Sequence, residues 1–100
     1  MDNNNQINIE LSEEVAVGTY ANLAVISHSS SEFVMDFIQL MPNMPQAKVR
    51  SRIIMTPQNA KRLLRALTEN ISRYEAQMGR IPEDNTPIPP MNFGGGPASA

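Results

Sequence analysis

The sequence predicts an α+β fold: a four-stranded antiparallel meander sheet followed by one long C-terminal helix (ββββα), assembled as a homodimer. Four segments within the first 55 residues have the alternating or β-rich character of strands. Next, a Thr-Pro pair at Thr56-Pro57 precedes a stretch whose apolar residues recur at three- and four-residue steps. The two middle strands are apolar on both faces, and one helix can cover only one face of a sheet.

The first two predicted strands differ in how they present apolar side chains. "QINIEL" places Ile7, Ile9 and Leu11 on one side, as a half-buried strand does. "TYANLAVISH", residues 19–28, is apolar on both sides. Its two faces carry Ala21, Leu23 and Val25, and Tyr20, Ala24 and Ile26. We expect cover on both faces of this strand.

The third and fourth predicted strands are "EFVMDFIQLM", residues 32–41, and "KVRSRIIM", residues 48–55. Proline cannot continue a central strand, so "PNMPQ" ends the third one. Alternation in the fourth strand puts Val49, Ser51 and Ile53 on one face and the arginines on the other. The hairpin brings Arg50 or Arg52 to the level of Asp36, which predicts a cross-strand ion pair.

The helix has clear start and stop signals. Thr56 is a suitable N-cap, and Pro57 suits the first helical position because its missing N–H costs nothing there. Gly79 is typical of the position just after a helix. The predicted apolar stripe comprises Ala60, Leu63, Leu64, Leu67, Ile71, Tyr74 and Met78.

Length and composition predict one domain of residues 6–80, between a disordered N-terminus of residues 1–5 and a flexible tail of residues 81–100. That tail contains five prolines and a triple glycine. The absence of cysteine excludes disulfides and cysteine-based zinc or redox sites. With no long apolar run and no secretory signal in the sequence, we expect a cytoplasmic protein.

The second apolar face of the sheet predicts the dimer or partner surface. About 75 ordered residues bury only a modest core, and an uncovered apolar face exceeds what monomers usually expose. A second copy of the chain is the economical cover. We assign Tyr20, Ile26, Val34 and Ile38 to this surface, with Met41 and Met44 in the adjoining Met/Pro loop. The alternatives are that Tyr20 stacks on a base and that the loop folds back on the helix.

Charge is distributed unevenly along the chain, although the net charge is only −2. Residues 1–47 carry six acidic and no basic residues, and residues 48–80 carry all eight basic residues. Either the two halves pair on folding or the basic part holds an anion. The candidate phosphate-binding or nucleic-acid-binding residues are Arg50, Arg52, Lys61, Arg62 and Arg65.

Two observations weigh against that anion site. The strand arginines project away from the face that the helix should cover, while the helix cations project outward on the opposite side of the domain. In addition, the protein as a whole is acidic, with a pI of about 5.2. A dimer is needed to merge the two basic clusters.

We expect no enzymatic activity, no cofactor and no metal. His28 is the only histidine, set among the serines of "ISHSSSE", and no strained elbow or oxyanion hole accompanies it. A histidine at the end of a hairpin is the simpler interpretation. The only glycine cluster, Gly94–Gly96, has no following helix and so lacks the form of a phosphate-binding loop.

The runs "YANLAVISHSSSEFVMDFIQLMP" and "SRIIMTPQNAKRLLRALTENISRYEAQMGRI" resemble a bacterial family known as domain of unknown function 3467, over about residues 5–81. The shared marks are Tyr20-Ala21-Asn22, Glu32-Phe33, Asp36-Phe37, Arg52, Thr56-Pro57, Lys61, Tyr74-Glu75 and Gly79. The resemblance implies a small cytoplasmic protein without known activity. It also implies a weak association with transcription or translation, because some members are encoded beside RNA polymerase subunits.

Two functions are therefore open. The first is a non-enzymatic homodimeric interaction module that docks a protein partner, expected in the transcription or translation machinery. The alternative is a dimer that binds single-stranded nucleic acid through residues 48–73. A looser likeness to Pur-alpha and Whirly domains, which share the ββββα order and bind single strands, is a fold-level analogy alone.

Overall fold

A computed structural model describes residues 6–43 and 46–83. In chain order, its elements are α1 (Glu13–Ala16), β1 (Leu23–His28), β2 (Phe33–Gln39), β3 (Lys48–Met55) and α2 (Pro57–Met78). The described residues form two compact units, with the boundary inside α2 between Ala66 and Leu67. The α+β class, the antiparallel meander and the long final helix are confirmed.

The three strands form one antiparallel sheet in the order β1-β2-β3. They correspond to the second, third and fourth strands predicted from the sequence. A turn of four residues joins β1 to β2, and the Ser29 N–H donates to the Glu32 carbonyl at 2.9 Å. The Ser29 hydroxyl accepts from the backbone N–H groups of Ser31 and Glu32, both at 3.3 Å. Ser29 thus holds the turn of this hairpin with both its backbone and its side chain.

The predicted first strand is absent from the described residues. Residues 6–12 form no ladder, and Ile7 and Ile9 are 84% and 90% exposed. The chain next forms α1, whose N-cap Ser12 accepts from the Val15 N–H at 3.3 Å. Alternation fixes only which side chains share a side. A strand also needs hydrogen bonds to a neighbour, and the single chain supplies none here.

A β-bulge in β3 changes the predicted faces of that strand. Phe37 is paired with Ser51 but Ile38 with Val49, so Arg50 is the extra residue. Directly paired residues share a face of the sheet. Val49 therefore lies on the face of Ile38, opposite to Ser51, and not beside Ser51 as alternation predicted.

Asn22 extends the β1–β2 ladder with its side chain. Its Nδ2 donates to the Leu40 carbonyl at 3.0 Å, and its Oδ1 accepts from the Leu40 N–H at 2.8 Å. The Asn22 N–H also donates to the Ile38 carbonyl at 3.0 Å. The amide thus acts as one more backbone unit and fixes the chain where it enters the sheet.

Local signals define both ends of α2 as predicted. The Thr56 hydroxyl accepts from the Asn59 N–H at 3.3 Å, and its carbonyl accepts from the Ala60 N–H at 2.9 Å. Gly79 has a φ of +97°, where only glycine is unstrained, and its N–H donates to the Glu75 carbonyl at 3.0 Å. The Glu75 Oε2 accepts from the Ile81 N–H at 2.9 Å. This carboxylate closes the helix end.

Very little of the described chain is buried. Met35 and Ile38 are the buried apolar residues and Asp36 is the buried polar one, all of them in β2. No residue of α2 is buried. The six large residues of its predicted apolar stripe are all exposed.

Candidate interaction surfaces

The best-defined polar contact joins the two middle positions of β2 and β3. Asp36 and Arg52 are paired in the ladder, and the guanidinium meets the carboxylate with two bonds. Nε donates to Oδ1 at 2.6 Å and an Nη atom donates to Oδ2 at 2.8 Å. This geometry confirms the predicted cross-strand pair, and it commits Arg52 to a structural contact.

The ion pair shifts the pKa values of both residues in the direction that keeps both side chains charged. The pKa of Asp36 is lowered, chiefly because Arg52 donates hydrogen bonds to its ionised form and also because of the positive charge nearby. Burial of the carboxyl opposes this shift. The same hydrogen bonds raise the pKa of Arg52.

The other predicted cations fall into two groups. Arg50, exposed at the bulge, lines a small surface pocket together with Gln39, Met41, Gln46 and Lys48. Lys61, Arg62 and Arg65 are exposed within the second and third turns of α2. Arg62 and Arg65 are three residues apart and so share a helix face. The five cations predicted to bind an anion therefore lie on two different elements, β3 and α2.

The predicted apolar surface is divided between the two faces of the sheet. Ile26 is paired with Met35, whereas Val34 and Ile38 are paired with Ser27 and Leu23. Ile26 therefore lies on the face opposite to Val34 and Ile38, so the prediction that the three share one face is wrong. Ile38 is only 5% exposed and belongs to the core, while Val34 is half-buried.

The remaining residues of that prediction are exposed or lie outside the described part. Tyr20 is 69% and Ile26 57% exposed, and Met41 is exposed beside the pocket of Arg50. Met44 and the C-terminal tail beyond residue 83 lie outside the described residues. The available part of the predicted surface is Tyr20, Ile26 and Met41.

His28 has a structural contact. Its ring stacks on Phe33, its ladder partner, with 5.3 Å between the ring centroids and 23° between the planes. Within residues 6–43 and 46–83, no three His, Asp or Glu side chains lie close enough to hold a metal ion together. Nor, in that part of the chain, is any helix both long and apolar enough to cross a membrane.

The apolar stripe of α2 is an exposed surface, which the sequence did not indicate. The six large side chains of the α2 stripe are 40–69% exposed: Leu63, Leu64, Leu67, Ile71, Tyr74 and Met78. Periodicity shows that these residues share a face, but it cannot show what covers that face. It is the longest run of exposed apolar side chains on one element of the described chain.

Comparison with known proteins gives one match. No curated protein and no solved structure matches this chain, so the likeness to Pur-alpha and Whirly domains stays a prediction. A family model, described as protein of unknown function (DUF3467), matches residues 1–83 and thus most of the sequence. The chain belongs to the DUF3467 family.

Proposed function

We propose that this protein is a non-enzymatic homodimeric interaction module that docks a protein partner. The observation that carries the proposal is the large number of exposed apolar side chains on regular elements, both in the sheet and along α2. Scattered apolar residues on a surface are ordinary, but clustered ones mark interaction sites.

The small number of buried residues supports the homodimeric half of this proposal. A folded chain must bury enough apolar surface to offset the conformational entropy that its residues lose on ordering. Here only three described residues are buried. Obligate homodimers solve this problem by placing part of their core between the two copies. Folding and dimerisation are then one reaction.

The docking site that we propose is the sheet patch, defined as the exposed Ile26 and Ile53 and the buried Met35 between them. These residues form one row across the three strands, because Met35 is the ladder partner of both others. Ile26 and Ile53 are exposed at its two ends. Lys48 lies on the same face, since its ladder partner Gln39 follows Met35 and Phe37 at alternate positions. An apolar protein segment with an acidic residue is the complementary occupant.

A photo-crosslinking amino acid at position 26, used in the native cell, tests this site. We expect it to capture one defined protein, in a yield that survives nuclease and high salt because the contact is apolar. Ile26→Asp should remove the interaction. Ser27→Asp is the matched control, because Ser27 is exposed on the opposite face of the same strand. Equal capture by both variants would exclude the sheet patch.

Identification of the captured protein also tests the expected association with transcription or translation. A ribosomal or RNA polymerase subunit would support that association. A defined partner from another process would leave docking intact and remove the association.

Binding of single-stranded nucleic acid is the second candidate, supported by Lys48 and Arg50 around one pocket and by Arg62 and Arg65 on one face of α2. Phosphate contacts weaken steeply as salt rises, with a slope that tracks their number. Arg62→Glu with Arg65→Glu should abolish oligonucleotide binding. If that variant binds as tightly as the original protein, these arginines are not the binding surface.

A further inference from the structure

Six apolar residues of α2 follow a seven-residue repeat. Leu64, Ile71 and Met78 are spaced by seven residues, and so are Ala60, Leu67 and Tyr74. The second set precedes the first by four residues, as d positions precede a positions in a heptad. We call these six residues the α2 seam. A strict seven-residue repeat is the pattern by which one helix packs lengthwise against another.

We propose that two copies of this protein dimerise by pairing their α2 helices antiparallel along the α2 seam. This inference rests on the homodimer of the proposed function and names its contact. The large seam residues are 40–69% exposed in the single chain, and Ala60, the small one, is half-buried. The twofold axis passes level with residue 69, halfway between Ala60 and Met78.

The sizes of the seam residues favour the antiparallel orientation. It opposes the smallest residue, Ala60, to Met78 of the second copy, Leu67 to Ile71, and Leu64 to Tyr74. The combined side-chain volume then varies less from layer to layer than in a parallel pair, as close packing favours. A parallel pair would instead oppose Ala60 to Ala60 and Tyr74 to Tyr74, which leaves a gap in one layer and crowds another.

The charges beside the seam favour the same orientation. Lys61, Thr68 and Glu75 occupy the e positions, and in an antiparallel pair the e positions of the two helices face each other. Lys61 then lies near Glu75 of the second copy, twice per dimer. Glu75 already accepts from the Ile81 N–H through Oε2, which fixes the side chain and leaves Oε1 to meet a cation. Antiparallel helix dipoles also attract each other.

Single-cysteine variants test the orientation directly, because the chain contains no cysteine of its own. Thr68 lies beside the twofold axis, so Thr68→Cys should cross-link to itself with a short bismaleimide. Met78→Cys should not, because 18 residues at 1.5 Å each separate the two copies of this position by about 27 Å. A mixture of Ala60→Cys and Met78→Cys should give the mixed cross-linked dimer.

The cross-linking pattern distinguishes an antiparallel pair from a parallel pair and from a dimer with another contact. Efficient self-cross-linking of Met78→Cys, with or without that of Thr68→Cys, would replace the antiparallel pair by a parallel one and overturn the inference. A dimer by mass that cross-links at neither position would also overturn it, while the homodimer of the proposed function would stand. A monomeric mass at micromolar concentration would remove both.

A charge variant gives an independent measurement. Lys61→Glu would place a second carboxylate near Glu75 of the second copy, and it should weaken dimerisation by roughly tenfold at low salt, with less effect at high salt. Arg62→Glu is the matched control, since Arg62 is one position further round the helix and points away from the α2 seam. Equal dissociation constants for the two variants would contradict the antiparallel contact.

Discussion

At the scale of single residues, the polar side chains with the clearest contacts are those that connect strands. Asp36 and Arg52 join β2 to β3, and Asn22 joins the start of β1 to the end of β2. All three are also marks of the resemblance to the family. Their contacts give each mark a structural reason, so none of them needs to be a binding residue.

Removal of Arg52 should destabilise the protein more than removal of Arg50. Arg52→Ala leaves the carboxylate of Asp36, which is 3% exposed, without its two donors. Arg50→Ala removes an exposed cation at the bulge of the same strand. Thermal unfolding at one protein concentration compares the two variants. Equal midpoints would show that the ion pair contributes nothing beyond its surface charge.

The pair also predicts a loss of stability in acid. The unfolded Asp36 has an ordinary pKa of about 3.9, and the folded one lies lower because of Arg52. Its contribution is therefore complete above about pH 4 and is lost as the pH falls through the lowered folded value. In urea unfolding, the stability difference between the original protein and Asp36→Asn should be constant near neutral pH and shrink below about pH 4. A constant difference down to the lowest pH would contradict this linkage.

At the scale of elements, the entry into β1 depends on a side chain that replaces backbone. Asn22→Ala removes both hydrogen bonds to Leu40 and should cost about 1–2 kcal/mol of unfolding free energy. Asn22→Asp keeps the acceptor but opposes a carboxylate to the Leu40 carbonyl, so it should not restore stability. Urea unfolding measures both variants. Full stability in Asn22→Ala would show that the two hydrogen bonds to Leu40 contribute nothing net to the folded state.

The contrast between α2 and the first predicted strand shows what a sequence can specify. Thr56, Pro57 and Gly79 act within one turn of their own positions, so the helix boundaries were predictable from local chemistry. Pairing depends on distant residues. The alternation of Ile7 and Ile9 could not reveal whether a neighbouring strand exists, and nothing local marked Arg50 as a bulge.

The candidate surfaces were predictable to a similar degree. The pairing of Asp36 with an arginine followed from hairpin geometry, and the apolar periodicity of α2 was evident. The register between β1 and β2, which places Ile26 on the face opposite to Val34 and Ile38, could not be predicted. A change of one residue in register exchanges the two faces of a strand. The bond between Asn22 and Leu40 spans 18 positions and has no sequence signature.

At the scale of the whole molecule, sparse burial has a thermodynamic consequence. When the core lies between two copies, the unfolding equilibrium includes dissociation, and the stability depends on protein concentration. A hundredfold dilution then lowers the free-energy advantage of the folded dimer by about 2.7 kcal/mol. For a dimer of this size, we expect the thermal midpoint to fall by about 5–10 °C.

The dependence of the thermal midpoint on protein concentration distinguishes dimerisation from the contacts within one chain. Substitution of Leu67 and Ile71 by serine should remove it, since both are exposed in the single chain and central in the α2 seam. Ser72→Ala is the control, being an exposed α2 position outside the α2 seam. Calorimetry at two concentrations measures all three proteins. An unfolding midpoint that is the same at both concentrations in the original protein would mean that the single chain holds its fold alone, and that its exposed apolar residues serve docking only.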